Sequence, residues 1–242
     1  AESVIDDSLW SSQPLLFRMT AEERYDFLHQ IFDFFRKSNA LTATLLEPNV
    51  IRQKSTNIRE KLRAPWTLDQ DEKIEFPNHI RFEKLGKVSK DMYTESGGMQ
   101  SVLGRYLRER AKLFEIDLKG REAFTAFIYP FLNLLCDGGW LTREPVRNDN
   151  NETVFVYRLR VDTILWKKGD EKTIVPDKIK SRSYKEMQQK PNAYFRRFYK
   201  TDFNAIKQIE GKEHTGQINS EERKNREEQF RNGQISTLFC SP

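Results

Sequence analysis

The chain has 242 residues, 37% hydrophobic, 12% aromatic and 32% charged, with a net charge of +5, enough for one large domain or two small ones. No window approaches the roughly eighteen apolar residues of a membrane span, and the acidic start at Asp6 and Asp7 is unlike a signal peptide. Cys136 and Cys240 lie far apart and outside any CxxC pair, which argues against a disulfide framework or a zinc ribbon and points to a reducing, cytoplasmic setting.

Residues 1–35 carry seven acidic and two basic side chains, leaving 39 basic against 29 acidic in the remainder. A basic excess favours polyanions, so nucleic acid is the expected partner, against the plain alternative of a solvated basic surface.

Along the chain, Thr20 followed by Glu23 reads as a capping box opening a helix over 20–37. Tyr25, Leu28, Phe32 and Phe35 form one stripe and Phe27, Ile31 and Phe34 another, so this helix is expected to pack on two sides. Residues 41–63 read as one or two helices interrupted by Pro48, and residues 64–80 as an irregular connector. Met99, Val102, Leu103, Tyr106, Leu107 and Phe114 outline a further helix whose other faces carry Arg105, Arg108, Arg110 and Lys112.

Residues 121–137 repeat the helical pattern through Phe124, Phe127, Ile128, Phe131, Leu134 and Leu135. A kink or break is expected near Pro130 and a stop at Gly138-Gly139. The period then changes: Trp140–Arg143 reads as a strand, 147–152 as an Asn- and Asp-rich turn, and Thr153–Val161 as a second strand. Helices followed by a long hairpin suggest a winged helix. Residues 171–190 are polar and basic, the best linker candidate, and Lys180–Lys200 holds seven basic residues and one acidic one among Tyr184, Tyr194, Phe195, Phe198 and Tyr199. A helix near 191–210, the segment Gly211–His214, a helix from Glu221 to Phe230 capped by Ser220, and a buried terminal strand complete the pattern. The chain lacks an initial Met and ends on the strand-like Leu238-Phe239-Cys240-Ser241-Pro242, so it is expected to be a piece of a longer protein.

Searching for chemistry, we find no complete phosphate-binding loop: Gly86-Lys87 is followed by Val88, and Gly97-Gly98 ahead of a helix is a fragmentary anion signal. His29, His79 and His214 show no metal-ligand spacing, so no metal site is expected, and nothing supports a nucleophile. The most distinctive string is Glu213-His214-Thr215-Gly216-Gln217, then Asn219-Ser220-Glu221-Glu222-Arg223, Arg226-Glu227-Glu228-Gln229-Phe230-Arg231-Asn232-Gly233 and Thr237–Pro242. Thr and Gln at a turn feeding a helix N-terminus would aim hydroxyl, amide and backbone donors at a phosphate; simple helix capping is the alternative.

This string resembles the second RecA-like lobe of superfamily 2 DEAD/DEAH-box helicases, in particular the large bacterial type that includes the helicase subunit of DISARM phage defence. Met19–Arg24, Leu103–Arg108, Tyr157-Arg158-Leu159 leading to Trp166, and Asn192–Phe195 are similar to the same group. The resemblance implies an ATP-dependent DNA translocase whose Walker A and Asp-Glu box precede Ala1 and whose arginine-finger motif follows Pro242. ATP and Mg would then belong to the parent, with no catalytic residue or cofactor in this stretch. It also places His214, Thr215, Gly216 and Gln217 near the nucleic-acid backbone and makes Cys240, Ser241 and Pro242 the start of motif V. The implied partners are DNA, with RNA as the alternative, the missing lobes and a defence-complex subunit.

The fold expected is α+β: a helical region over 1–118, a winged-helix-like module over 119–170, a basic linker over 171–190 and a truncated RecA-like piece over 191–242. Arg105, Arg108, Arg143, Arg147, Arg196 and Arg197 are the candidate backbone contacts, and Trp140 is either hairpin core or a base-stacking pin. The rivals are a stand-alone winged-helix DNA-binding regulator and a protein-interaction scaffold.

Overall fold

The computed structural model describes residues 7–63, 67–68, 72–87, 90, 92–168, 176–180, 192–201, 211–216 and 218–240. It is a mixed α and β fold, and its described residues divide into two units, one reaching residue 180 and the other starting at residue 192.

In the first unit, α1 (Asp7–Trp10) and α2 (Pro14–Arg18) lead into α3 (Ala21–Lys37). The capping box is present: Thr20 Oγ1 accepts from the Glu23 amide at 3.3 Å, and Glu23 Oε2 accepts from the Thr20 amide at 2.9 Å. Phe27, Leu28, Ile31, Phe34 and Phe35 are buried, but Tyr25 is exposed and stacks on His29 at 5.9 Å. Buried Arg24 donates from Nε to the Leu16 carbonyl and from Nη2 to that of Met19, both at 3.0 Å, tying α2 to α3.

Strand β1 (Leu41–Thr42) and a 3-10 turn at Thr44–Leu46 precede α4 (Pro48–Lys61). Pro48 therefore starts a helix and does not interrupt one, because at the first helical position its missing N–H has no partner to lose. The stretch expected to be irregular ends in a strand, β2 (Asn78–Arg81), and β3 (Tyr93–Ser96) pairs with it in parallel.

Helices α5 (Val102–Leu113) and α6 (Arg121–Asp137) follow. Pro130 does not break α6: it and Ala126, whose carbonyl loses its helical partner, both lie on the exposed face, where such a carbonyl is open to solvent. The helix stops as expected. Gly139 takes φ +78°, its amide bonds the Cys136 carbonyl and the Trp140 amide reaches that of Leu135, a Schellman ending.

The hairpin is β4 (Leu141–Arg147) and β5 (Thr153–Arg160), antiparallel from Leu141↔Leu159 to Arg147↔Thr153. On its other edge β5 meets β1 in parallel and β2 antiparallel through Ile80↔Tyr157, making a five-stranded sheet. Tyr157, Leu159, Ile80 and Leu141 join the main hydrophobic cluster with the apolar stripes of α3, α5 and α6. Residues on both sides of position 118 fill this one cluster. Alternation sends Val154, Val156 and Arg158 to the opposite face, where both valines are buried outside the main cluster.

On that face Arg158 bonds Glu144 directly and lies 3.8 Å from Glu47, while His79 places Nε2 3.6 Å from Glu144 and Nδ1 3.3 Å from the Tyr93 carbonyl oxygen.

Within the stretch read as a linker, residues 176–180 are packed on α3. Ile179 joins the core, Lys178 pairs with Asp26 at 2.7 Å, and Asp177 pairs with Lys37 at 3.0 Å. The Lys178 amide donates to Gln30, and Lys180 lies over the Phe34 ring. Ile179→Asp should destabilise the first unit by about 2 kcal/mol, because it puts a carboxylate into an apolar site. Lys178→Ala should cost at most about 0.5 kcal/mol, because its ion pair is solvated. Urea unfolding of both variants checks this ordering, and equal losses would contradict it.

In the second unit, α7 (Ala193–Lys200) is followed by β6 (Gly211–His214), α8 (Ser220–Arg231) and β7 (Thr237–Cys240). Strands β6 and β7 pair in parallel from Gly211↔Thr237 to His214↔Cys240, so α8 is the crossover of a βαβ unit. Strand β7, expected to be buried, is mostly exposed among the described residues, with Phe239 in the open.

Candidate nucleic-acid interface

The parallel pairing brings two distant strings together. His214 ends β6 and Cys240 ends β7 as register partners, so Thr215 and Gly216 leave the sheet at the edge where Cys240 lies. Gln217, Ser241 and Pro242 lie outside the described residues.

Helix α8 shapes this edge from below. Arg223 Nη2 donates to the carbonyls of Thr215 (3.3 Å) and Ile218 (3.2 Å), and Arg226 Nη1 donates to that of Glu213 (2.5 Å). Glu222 holds Arg226 from behind, and Glu227 lies 3.2 Å from His214 Nε2. Charge-assisted bonds to backbone carbonyls hold a turn firmly. The sequence reading gave these two arginines no role; their i, i+3 spacing beside Glu222 and Glu227 was the available signal.

The helix terminus is already occupied. Asn219, and not Ser220, caps α8, its Oδ1 accepting from the Glu222 amide at 2.8 Å. Thr215 donates its hydroxyl to Glu213 at 3.0 Å, and Glu221 and Glu222 add negative charge to the first turn. An acidic, capped N-terminus is poorly suited to a phosphate. His214 Nδ1 is buried with no hydrogen bond among the described residues.

The arginines of the first unit do structural work. Arg143 donates to Asn133 Oδ1 at 2.6 Å and lies 5.3 Å from the Phe155 ring, bracing the hairpin on α6. Arg147 ties the hairpin tip through the Asn151 carbonyl (3.0 Å) and Thr153 Oγ1 (2.9 Å). Both remain exposed. Arg105 and Arg108 are half-buried on α5; Arg105 is 3.5 Å from the Gln100 carbonyl, and Arg108 Nε is buried without a bond among the described residues.

Trp140 is core. Its ring stacks on Trp10 at 5.8 Å and meets Phe32 at 6.1 Å, and a side chain at Gly138 would collide with it. Gly97 and Gly98 serve packing as well. The Gly97 amide bonds the Arg81 carbonyl, Phe82 fills the space a Cβ at Gly97 would need, and Ser101 caps α5 through the Gly104 amide.

Arg196 and Arg197 lie on α7, all of whose residues are exposed, and with Ala193, Lys200 and Thr201 they line an open groove of about 430 Å³. Among the described residues no group of three or more His, Cys, Asp or Glu is placed to hold a metal, and no helix is long and apolar enough to cross a membrane. Comparison with protein-family models, with curated proteins and with solved structures finds no match to this chain.

Proposed function

We propose that this chain is the nucleic-acid-handling part of an ATP-dependent superfamily 2 helicase or translocase, with ATP and Mg bound by other parts of the motor. The observation that carries the reading is the parallel β6–α8–β7 unit. Its register sets His214, Thr215 and Gly216 beside Cys240 at the carboxyl ends of the strands, the edge at which α/β sheets bind ligands. That arrangement fits the beginning of a second RecA-like lobe. A setting in phage defence rests on the resemblance of the motif string alone.

The winged-helix part of the reading draws on the order of a helix, β2, α5, α6 and the β4–β5 hairpin, with β5 between β2 and β4, to which this unit adds β3 between β2 and α5 and β1 beside β5. Its charges do not favour the rival, a sequence-reading duplex binder. The exposed face of α6 carries Glu122, Thr125, Ala126, Pro130, Asn133 and Asp137, with Arg121 at its start, and the hairpin tip carries Asp149 and Glu152. With exposed Arg143 and Arg147 also on the hairpin, the charges of this helix and wing are mixed and form no continuous basic face for phosphates.

Fluorescence polarisation with single-stranded and duplex oligonucleotides tests the proposal. We expect weak, steeply salt-dependent, sequence-independent binding, with a Kd on the order of micromolar. Nanomolar binding to one duplex sequence would establish the regulator instead. Undetectable binding at low salt would leave the scaffold, which would have to dock its partner elsewhere because the aromatic stripes of α3 and α6 fill the core.

A further inference from the structure

On the reading just given, the capped, acidic N-terminus of α8 adds little to a phosphate grip, so the strand-end edge needs cationic support from elsewhere in the unit. We infer that α7 is a single-strand-binding helix, taking backbone phosphates on Arg196, Arg197 and Lys200 and stacking bases on Tyr194 and Tyr199.

The segregation of α7 follows from its sequence, Ala193-Tyr194-Phe195-Arg196-Arg197-Phe198-Tyr199-Lys200. At about 100° per residue, Ala193, Arg196, Arg197 and Lys200 share one face. Those four residues, with Thr201, line the open groove, so three of its five lining residues are cations. No acidic residue occurs in the helix. Asn192 Oδ1 accepts from the Tyr194 amide at 2.9 Å, fixing the start of the helix and hence the angular order of its side chains.

The tyrosines flank this basic face. Tyr194 stands about 60° round the helix from Arg197, and Tyr199 about 60° from Arg196 on the other side. Both rings are widely exposed, at 68% and 78%. Phe195 and Phe198 turn to the far face, and Tyr194 stacks with Phe198 at 6.3 Å, which steadies its ring. Cations tracking a backbone with flanking rings for the bases is the arrangement by which proteins hold single strands without reading sequence. A duplex, whose bases are already stacked, can use only the cations. The occupant is therefore single-stranded nucleic acid, chosen by charge complementarity and by the polar rings bordering the groove.

The experiment uses the full 242-residue chain with a labelled oligothymidylate of about twenty nucleotides and a duplex of equal length. Replacing Arg196, Arg197 and Lys200 together by alanine should weaken single-strand binding at least about tenfold and reduce the salt slope by about two. Tyr194→Ala with Tyr199→Ala should weaken single-strand binding about tenfold and leave duplex binding unchanged. All five side chains are exposed, so circular dichroism of the variants should match the parent. If the parent binds and the triple variant binds equally well, α7 is not the site, while the motor reading stands. Equal losses on duplex and single strand in the tyrosine variant would overturn the base-stacking role. If the parent binds neither probe, the motor reading and this inference fall together.

Discussion

Arg24→Ala should lower the unfolding free energy of the first unit by about 3 kcal/mol, one of two comparable effects on stability expected from buried polar groups. Arg24 is 1% exposed, and its guanidinium holds the carbonyls of Leu16 and Met19 while lying 5.9 Å from the Trp10 ring. Alanine removes both donors; the Leu16 carbonyl keeps the Met19 amide at 3.2 Å, so the Met19 carbonyl is the acceptor that loses its donor, at a cost of about 1–3 kcal/mol. It also removes an aliphatic stem packed in the core. Trp10 stacks on Trp140, so tryptophan fluorescence during urea unfolding reports directly on the region that loosens. Arg24→Met, which keeps the stem, should recover about 1 kcal/mol. A loss below about 1 kcal/mol for Arg24→Ala would show that α1 and α2 are not held through this residue.

The second large effect concerns Glu144. The Arg158 side chain is only 8% exposed, and Glu144 is its directly bonded counterion. Glu144→Leu should therefore cost about 3 kcal/mol, because a guanidinium is left in a buried site with Glu47, 3.8 Å away, as its remaining carboxylate. The facing His79 ring, and then the charge of Arg158, pull the Glu144 pKa down to about 2 despite partial burial.

A carboxylate with a depressed folded-state pKa stabilises the fold above its unfolded value and loses that contribution as pH falls through the folded value. Wild-type stability should thus decline between about pH 4.5 and 2. Because Glu144 is 42% exposed, screening reduces this acid-linked part to about 1 kcal/mol. In Glu144→Leu the decline over the same window should be shallower by that amount. Parallel acid titrations of the two proteins, followed by circular dichroism, measure the difference; identical slopes would remove Glu144 from the acid response.

How much could be read in advance depended on where each signal lay. The capping box at Thr20 and Glu23 and the glycine stop of α6 are local, set by hydrogen bonds within a few residues, and both stand as read. Pro48 begins a helix and Pro130 leaves one unbroken for a common reason. The cost of a proline depends on whether its missing N–H would have had a partner and on whether the freed carbonyl meets water. Those conditions are met at the start of α4 and on the outer face of α6. Strand β2 escaped notice because four residues with one strongly apolar side chain, Ile80, carry no alternation; pairing with β3 and β5 makes them a strand.

The candidate site divides in the same way. The string from Glu213 to Cys240 announced a strand, a turn, a helix and a strand, and those elements are present. That Arg223 and Arg226 spend their charge on the turn's own carbonyls, and that Arg147 ties the hairpin tip, was invisible in a linear chain. A guanidinium reaches several ångströms, and its partner is chosen by what the fold brings within that reach.

The sequence by itself determined α3, α5, α6 and α8, the capping box of α3, the glycine stop of α6, the hairpin, the charge imbalance and the segregated faces of α7, because periodicity and capping act over one or two turns. Tertiary structure alone decided that β1, β2 and β3 extend the hairpin into a five-stranded sheet and that Ile179 anchors part of a polar stretch to α3. It also decided that His214 and Cys240 share an edge. Each of these joins residues far apart in the chain, and such pairings are selected by the apolar area they bury and the backbone bonds they complete, quantities that no short window of sequence contains.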